Sequence, residues 1–312
     1  MENIKKFQTD PSLKLMDRVR QALSYYQYAH RTEQSYTKWI REYIRYLSRK
    51  KVPEKKYHRE ITSFVDHLSN DRNLSDSSCK QALNAISFLY KRVFDVPVDV
   101  SVRPAKIRKE EKTPAIMSKG EVKLVLSGLK GKHLLMSQLM YGAGLRLMEC
   151  VRLRIHHINF KRNLIFIYPA KGGKERKVMI PQMIRQDLVE QADRIKKQHK
   201  KDLAAGAGQV RIPGIFKDGF SRTENDLMWQ YLFPSKKITI DTKTGLTGRS
   251  HVLESGLQKA VHAAVKKNGI EKKISCSTFR HSFAAHLLEN NVPLQIVREL
   301  MGHSDIRETQ VY

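Results

Sequence analysis

The sequence predicts a mainly α chain in two parts: an N-terminal four-helix unit and a C-terminal α+β domain with one small three-stranded antiparallel sheet. Three observations predict it. Apolar residues recur at three- and four-residue steps from residue 12 to about 96. That periodicity breaks over "VPVDVSVRPAKIRKEEKTPAIMS", which holds three prolines. Beyond it, "INF", "LIFIY" and "RKVMIP" alternate with turn residues. The expected boundaries are residues 1–100, a linker at 101–117, and a domain at 118–312 with an insert at about 200–240.

In order along the chain, the first helix candidate is "LKLMDRVRQALSYY". In "RTEQSYTKWIREYIRYLSRK", Tyr36, Trp39, Ile40, Tyr43, Ile44 and Leu47 form one apolar stripe, with Arg41, Arg45, Arg49 and Lys50 around the rest. "REITSFVDHLSN" is the third candidate. In "SDSSCKQALNAISFLYKRVF" the stripe is Cys79, Leu83, Ile86, Leu89 and Val93, with Ser75 or Asp76 as the expected N-cap. The basic linker either follows a phosphate backbone or is a solvated tether. After it, Ser118 and Glu121 have capping-box spacing. "KHLLMSQLMY" is a mostly apolar helix that stops at "GAGLR". Further helices are expected at about 181–203, 251–267, 277–290 and 293–301.

Composition narrows the function. The chain of 312 residues carries 58 Lys+Arg against 31 Asp+Glu, a formal charge of +27. Such a surplus fits a polyanionic partner, above all nucleic acid. An anionic membrane surface would call for a basic amphipathic anchor or a lipidation signal, and neither is found. No apolar run approaches the roughly 18 residues of a membrane span. Cys79, Cys150 and Cys276 have no metal-ligand spacing, and "MENIKKFQTD" has no apolar signal core, so a reduced, cytoplasmic protein without metal or cofactor is expected.

Four stretches hold candidate chemistry. "YGAGLRLMECVRLR" places Arg146 at the start of a helix, where a phosphate could dock; alone it also reads as an ordinary helix–helix turn. "AKGGKER" puts Lys171 beside a Gly-Gly tip, mobile enough to reach a leaving group, and reads equally as a soluble hairpin turn. "SCSTFRHSFAAHLLENN" carries Arg280, His281 and His286 on one helix. "LMGHSDIRETQVY" has Gly302 as a helix C-cap, then His303 and Tyr312.

In combination, Arg146, Lys171, "xxRH" at 278–281, a Gly-His pair 22 residues on and Tyr312 nine residues after His303 resemble the tyrosine recombinase (integrase) family over essentially the whole chain. "ALNAISFLYK" also looks like that family's DNA-clamping domain. The "W-x-YLFPS" run within the long insert is similar to integron integrases, which recombine folded single-stranded cassette hairpins and recognise extrahelical bases. Trp229, Phe216, Phe220 and Tyr231 are then expected stacking partners, or else core beneath the insert. The remaining expected DNA contacts are Lys38, Arg41, Lys80, Lys174, Arg176, Arg249 and His281.

The resemblance implies metal-free phosphoryl transfer. Tyr312 would attack the scissile phosphate, Arg146 and Arg280 would grip its non-bridging oxygens, His303 would donate to it, and Lys171 would protonate the departing 5′ oxygen. Four protomers would assemble on the DNA. Two departures bear on activity. Ser277 stands where the family carries a histidine, and a hydroxyl is no base near neutral pH, so weak cleavage is expected. The family also continues past its nucleophile, so a stop at Tyr312 is expected to weaken protomer contacts and place a carboxylate beside the phenol. The alternatives are a DNA-binding but inactive integrase, a phage integrase, a chromosome-dimer resolvase, or a type IB topoisomerase.

Overall fold

The computed structural model describes residues 9–52, 60–98, 113–168, 175–216, 223–242 and 244–312. The chain divides into two compact units, Met1–Glu111 and Lys112–Tyr312. In the first, α1 (Leu15–Tyr25), α2 (His30–Arg49), α3 (Ile61–Asp66) and α4 (Asp76–Phe88) share one core. Both α3 and α4 run on through a wider turn, to Asp71 and Phe94. On α2 the expected stripe is the buried one: Trp39, Ile40, Tyr43 and Leu47 are enclosed, with Tyr36 and Ile44 packed at the edge. The Tyr43 ring lies 5.1 Å from Phe64, and Trp39 Nε1 donates to Gln81 Oε1 at 2.9 Å, tying α2 to α4. Ser75 holds the N-cap position of α4, but its hydroxyl pairs with those of Ser77 and Ser78 rather than with a backbone N–H. Residues 101–112 of the expected linker lie outside the described residues.

The second unit begins with α5 (Lys119–Ser127). Its capping box is formed: Glu121 N–H donates to Ser118 Oγ at 3.2 Å, and Ser118 N–H to Glu121 Oε2 at 2.7 Å. Next, α6 (Gly131–Gly142) buries Leu135, Met136, Leu139 and Met140 and packs on α10 (Cys276–Glu289), the other central helix. Between them in sequence come α7 (Leu147–Val151), the strands β1 (Ile158–Asn159), β2 (Leu164–Ile167) and β3 (Arg176–Met179), and α8 (Arg185–Ala204). The three strands form one antiparallel sheet in sequence order, as expected. Ile165 pairs with Ile158 and Val178, so strand alternation turns Ile165, Ile167 and Val178 onto the core while Arg176 begins β3 opposite Ile167.

The insert is built on a polar stripe of α8. Gln191, Ile195, His199 and Asp202 recur at helical spacing and are all buried. Gln191 Nε2 donates to the Leu232 carbonyl at 2.7 Å, and Asp202 pairs with Arg249 at 2.7 Å. A short hairpin of β4 (Thr239–Ile240) and β5 (Thr247–Gly248) was not foreseen, because two-residue strands carry no alternation to read. Then follow α9 (Glu254–Lys267), α10, α11 (Leu294–Met301) and a last short helix, α12 (Arg307–Gln310). The three cysteines are free and buried. No helix among the described residues is long and apolar enough to cross a membrane.

The hairpin is seated by a close backbone approach. A Cβ at Gly248 would lie 1.9 Å from the Gln209 carbonyl oxygen. Gly248→Ala is therefore expected to destabilise the C-terminal unit by about 1–3 kcal/mol in urea unfolding, as overpacking typically does. Unchanged stability would show that the hairpin is only loosely attached.

Candidate active site

The site is assembled where two chain reversals meet, and Arg280 is their common partner. The residue is only 5% exposed. Nη1 donates to the Gly144 carbonyl and Nη2 to the Met301 carbonyl. Burial, then the charges of Arg146 and Arg176, pull its pKa down to about 9, which leaves it charged at neutral pH. Gly144, at φ +63°, is in the left-handed region, and a Cβ there would sit 2.7 Å from the Phe283 ring. That glycine turns the chain so that its carbonyl faces Arg280 and the next residues lead into Arg146.

Arg146 stands immediately before α7. The helix has only five residues, so this position depends on side chains more than on a helix dipole. Arg146 N–H donates to Glu149 Oε2 at 2.7 Å, Nη1 to Glu149 Oε1 at 3.1 Å, and Nη2 to the Gly302 carbonyl at 3.2 Å. Its side chain keeps 44% of its surface exposed. Glu149 also accepts two bonds from Arg176, at 2.8 and 2.6 Å. Burial alone would raise the Glu149 carboxyl, but the bonds and charge of Arg176, with Arg146, hold it down at about 2. Arg176, expected on DNA, is thus an internal support: it grips Glu149 and donates from Nε to the Leu300 carbonyl at 3.0 Å.

The second reversal is Gly302, at φ +60°, ending α11 as expected. His303 follows, and its Nδ1 lies 2.9 Å from the buried Thr309 hydroxyl. Burial, then the Arg280 charge, brings its pKa down to about 4, so the ring is neutral near pH 7. In the tautomer in which Thr309 donates to Nδ1, Nε2 carries the proton and can donate to an anion. Tyr312 packs against the buried cluster of Ala284, Val297 and Met301. Its Oη is 2.6 Å from His281 Nδ1, and its ring is 6.4 Å from that of His303. Burial raises the Tyr312 phenol, with Arg280 and Arg146 opposing it.

The structure therefore brings Arg146, Arg280, His303 and Tyr312 together. Ser277 is exposed in the first turn of α10. Lys171, Lys174 and Phe220 lie outside the described residues. Lys38, Arg41 and Lys80 are exposed in the N-terminal unit, the first two on α2 and the third on α4. Arg249 is held internally by Asp202 and by the Ser235 and Lys236 carbonyls. Trp229 is 1% exposed, against His156 and Phe216 at 4.7 and 5.4 Å, so it is core beneath the insert and has no face open to a base. His281, expected on DNA, faces the phenol instead.

Sequence reasoning missed Glu149, Thr309 and Arg154. Glu149 has capping-box spacing from Arg146, a signal that was available. Arg154 had no such signal. Buried just after α7, it donates to the Trp229 carbonyl at 2.6 Å, the Arg211 carbonyl at 3.0 Å and Tyr231 Oη at 3.0 Å. A cavity of about 790 Å³ opens there, lined by Arg146, Arg152, Arg154 and Arg211 with Tyr168, Phe216 and Tyr231.

A helical N-terminal unit, followed by a mainly helical domain that gathers a second arginine, a histidine and a tyrosine around the buried guanidinium of Arg280, defines the class of tyrosine recombinases. Comparison with known proteins agrees. The model of the "Phage integrase family" matches residues 109–312, and that of the "Phage integrase, N-terminal SAM-like domain" matches residues 15–99. The chain belongs to the phage integrase family. It is 32% identical to an "Integrase/recombinase" of Escherichia coli, over 96% of this chain and 89% of that one. It is 24% identical to the tyrosine recombinase XerC of Anoxybacillus flavithermus, over 91% and 87%. Among solved structures, the fold resembles the Tn1549 transposon integrase in complex with transposon right end DNA, with TM-score 0.62 and 15% identity, over 96% and 95% of the two chains. It also resembles XerH bound to palindromic difH substrate, with TM-score 0.58 and 16% identity, over 95% and 80%.

Glu149 makes the site pH-sensitive in a predictable direction. Its folded value of about 2 lies below the ordinary 4.5, so its contribution is complete above the ordinary value and is lost as pH falls toward the folded one. The full contribution is about 3 kcal/mol. Glu149→Gln should lower stability at pH 7 and flatten the loss on acidification between about pH 5 and 2.5, followed by urea unfolding across that range. An unchanged acid slope would remove Glu149 from this role.

Proposed function

We propose that this chain is a site-specific DNA recombinase of the integron integrase type, which cleaves and rejoins DNA through a covalent 3′-phosphotyrosine at Tyr312 and so integrates or excises gene cassettes. The observation that carries the reading is the convergence of Arg146, Arg280, His303 and Tyr312. Arg146 offers exposed guanidinium donors, Arg280 a pre-oriented positive charge, and neutral His303 an N–H. These groups suit a phosphodiester whose negative charge is redistributed in the transition state. Attack by Tyr312 Oη makes the new P–O bond, the 5′ oxygen leaves, and Lys171 supplies its proton. The bond energy stays in the phosphotyrosine, so rejoining calls for no ATP.

DNA is the partner, in keeping with structural relatives solved on DNA and with the +27 charge. Lys38, Arg41 and Lys80 would contact it from the N-terminal unit. Lys174, between β2 and β3 in the sequence, would join them, and self-association on DNA follows the family resemblance. The cytoplasm is the expected compartment. The integron reading rests on the insert. Its "W-x-YLFPS" segment is organised by Arg154, and the resulting cavity joins guanidinium groups with aromatic rings next to Arg146, a chemistry suited to a nucleotide turned out of its stack. Phe216 and Tyr231, rather than buried Trp229, would meet the base. A second reading, a protein that occupies recombination sites without cutting them, is favoured by Ser277 at the family's histidine position.

Covalent trapping separates these readings. The chain should form an SDS-resistant adduct with a nicked suicide substrate, and Tyr312→Phe should abolish the adduct while preserving the gel shift. Binding without any adduct would favour the second reading. On a folded single-stranded cassette-end hairpin, affinity should exceed that for the same sequence as duplex. Equal affinity for both would remove the integron assignment and leave the recombinase one.

A further inference from the structure

His281 lies one helical turn beyond the position that, in this chain, lacks its histidine. Residues 277 and 281 are at i and i+4 on α10, so they share a face, with Cβ atoms about 5–6 Å apart. Helical side chains lean toward the N-terminus, so a ring at 281 reaches back over the surface near 277. His281 Nδ1 is 2.6 Å from Tyr312 Oη, and the rings are 5.4 Å apart. The phenol is thus in direct contact with an imidazole although residue 277 is a serine.

Resting on the assignment of Tyr312 as nucleophile, we propose that His281 is the proton acceptor for Tyr312 and takes over the base function that Ser277 cannot supply. In the resting site the Tyr312 O–H donates to bare Nδ1, and Nε2 holds the imidazole proton. As Oη bonds to phosphorus, the phenolic proton passes to Nδ1 and His281 becomes an imidazolium. The P–O5′ bond breaks with its electron pair on O5′, which takes a proton from Lys171. The diester keeps one negative charge throughout, and the positive charge lost at Lys171 appears at His281. Rejoining runs the same transfers backward.

The surroundings suit this role. Burial, followed by the adjacent Arg280 charge on the same helix, lowers the His281 pKa, so the ring is neutral and able to accept near pH 7. From the C-terminal segment it faces Tyr312 itself, which also stacks on His303 and lies within the fields of Arg146 and Glu308. Without a bound anion the adjacent Arg280 charge therefore opposes the imidazolium, while Arg280 and Arg146 act on the phenol. A phosphodiester held by those two arginines brings the negative charge that relieves this opposition, so proton transfer is favoured only when DNA is in place.

The test uses the full chain in single-turnover phosphotyrosine formation on a suicide substrate, with a gel shift alongside. His281→Asn keeps a polar atom near Nδ1 but has no basic nitrogen. It should cut the rate by about 100-fold or more with unchanged DNA binding, and it should erase the acid limb of the pH–rate profile. Added imidazole should partly restore His281→Ala. Ser277→His should return the rate in the His281→Asn background and raise it by no more than about tenfold in the unaltered chain, since the base is already present. A His281→Asn rate within about threefold of the unaltered chain, with the acid limb intact, would overturn the proposal. Nitrogen-15 shifts of His281 read the contact without catalysis: the Nε2–H tautomer is expected, and an Nδ1–H tautomer overturns the proposal. If the unaltered chain forms no adduct, the assignment of Tyr312 fails as well; if it does and His281→Asn equals it, only the role of His281 fails.

Discussion

One guanidinium binds the site together. Arg280 projects from the central helix α10 into a position where its charge is costly unless its N–H groups are satisfied. They are satisfied by two carbonyls from distant parts of the chain, Gly144 before α7 and Met301 at the end of α11. The same bonds that make the burial tolerable draw these two turns together. Arg146 leaves one turn and His303 the other, so their positions follow from that of Arg280. Removing Arg280 would leave two inward-facing carbonyls without donors and would release both turns, so its loss reaches well beyond one contact with phosphate.

A second layer keeps the concentrated charge in order. Arg146, Arg176 and Arg280 would repel one another in a partly buried space. Glu149 answers two of them directly, and the backbone oxygens of Gly302 and Leu300 accept from the same pair. Three guanidinium groups with one carboxylate leave a positive surplus, which is what an incoming phosphodiester needs. The histidines stay neutral in this field. His303 is pushed down by burial and by Arg280, and His281 likewise, so the positive potential of the arginines keeps both imidazoles neutral near pH 7.

How legible was all this in the sequence? The helices of both units were, because their apolar stripes repeat with the helical period and their cores are local. Tyr43 on α2 and Ile86 on α4 are buried as their spacing predicts. Arg146, Arg280, His303 and Tyr312 were legible through their order and spacing. The basic residues were not. Arg176, Arg249 and His281 looked like DNA contacts because charge alone does not say whether a partner is external. Glu149, Asp202 and Tyr312 claim them across 27, 47 and 31 positions of chain, separations at which no local pattern operates. Trp229 is the apolar counterpart: an aromatic in a polar loop reads as exposed until the loop is folded over it.

By itself, then, the sequence determined the helical architecture, the small sheet and the four residues, Arg146, Arg280, His303 and Tyr312, that the fold brings together, since periodicity, capping and motif spacing are properties of neighbours along the chain. Only the tertiary structure decided which cations face outward and which are tied inside. It also decided that Ser277 stays exposed while His281 reaches the phenol, and that an arginine-lined aromatic cavity opens beside Arg146. These outcomes depend on burial and on pairing between distant segments. A charged side chain takes whichever partner the folded backbone brings within hydrogen-bond reach.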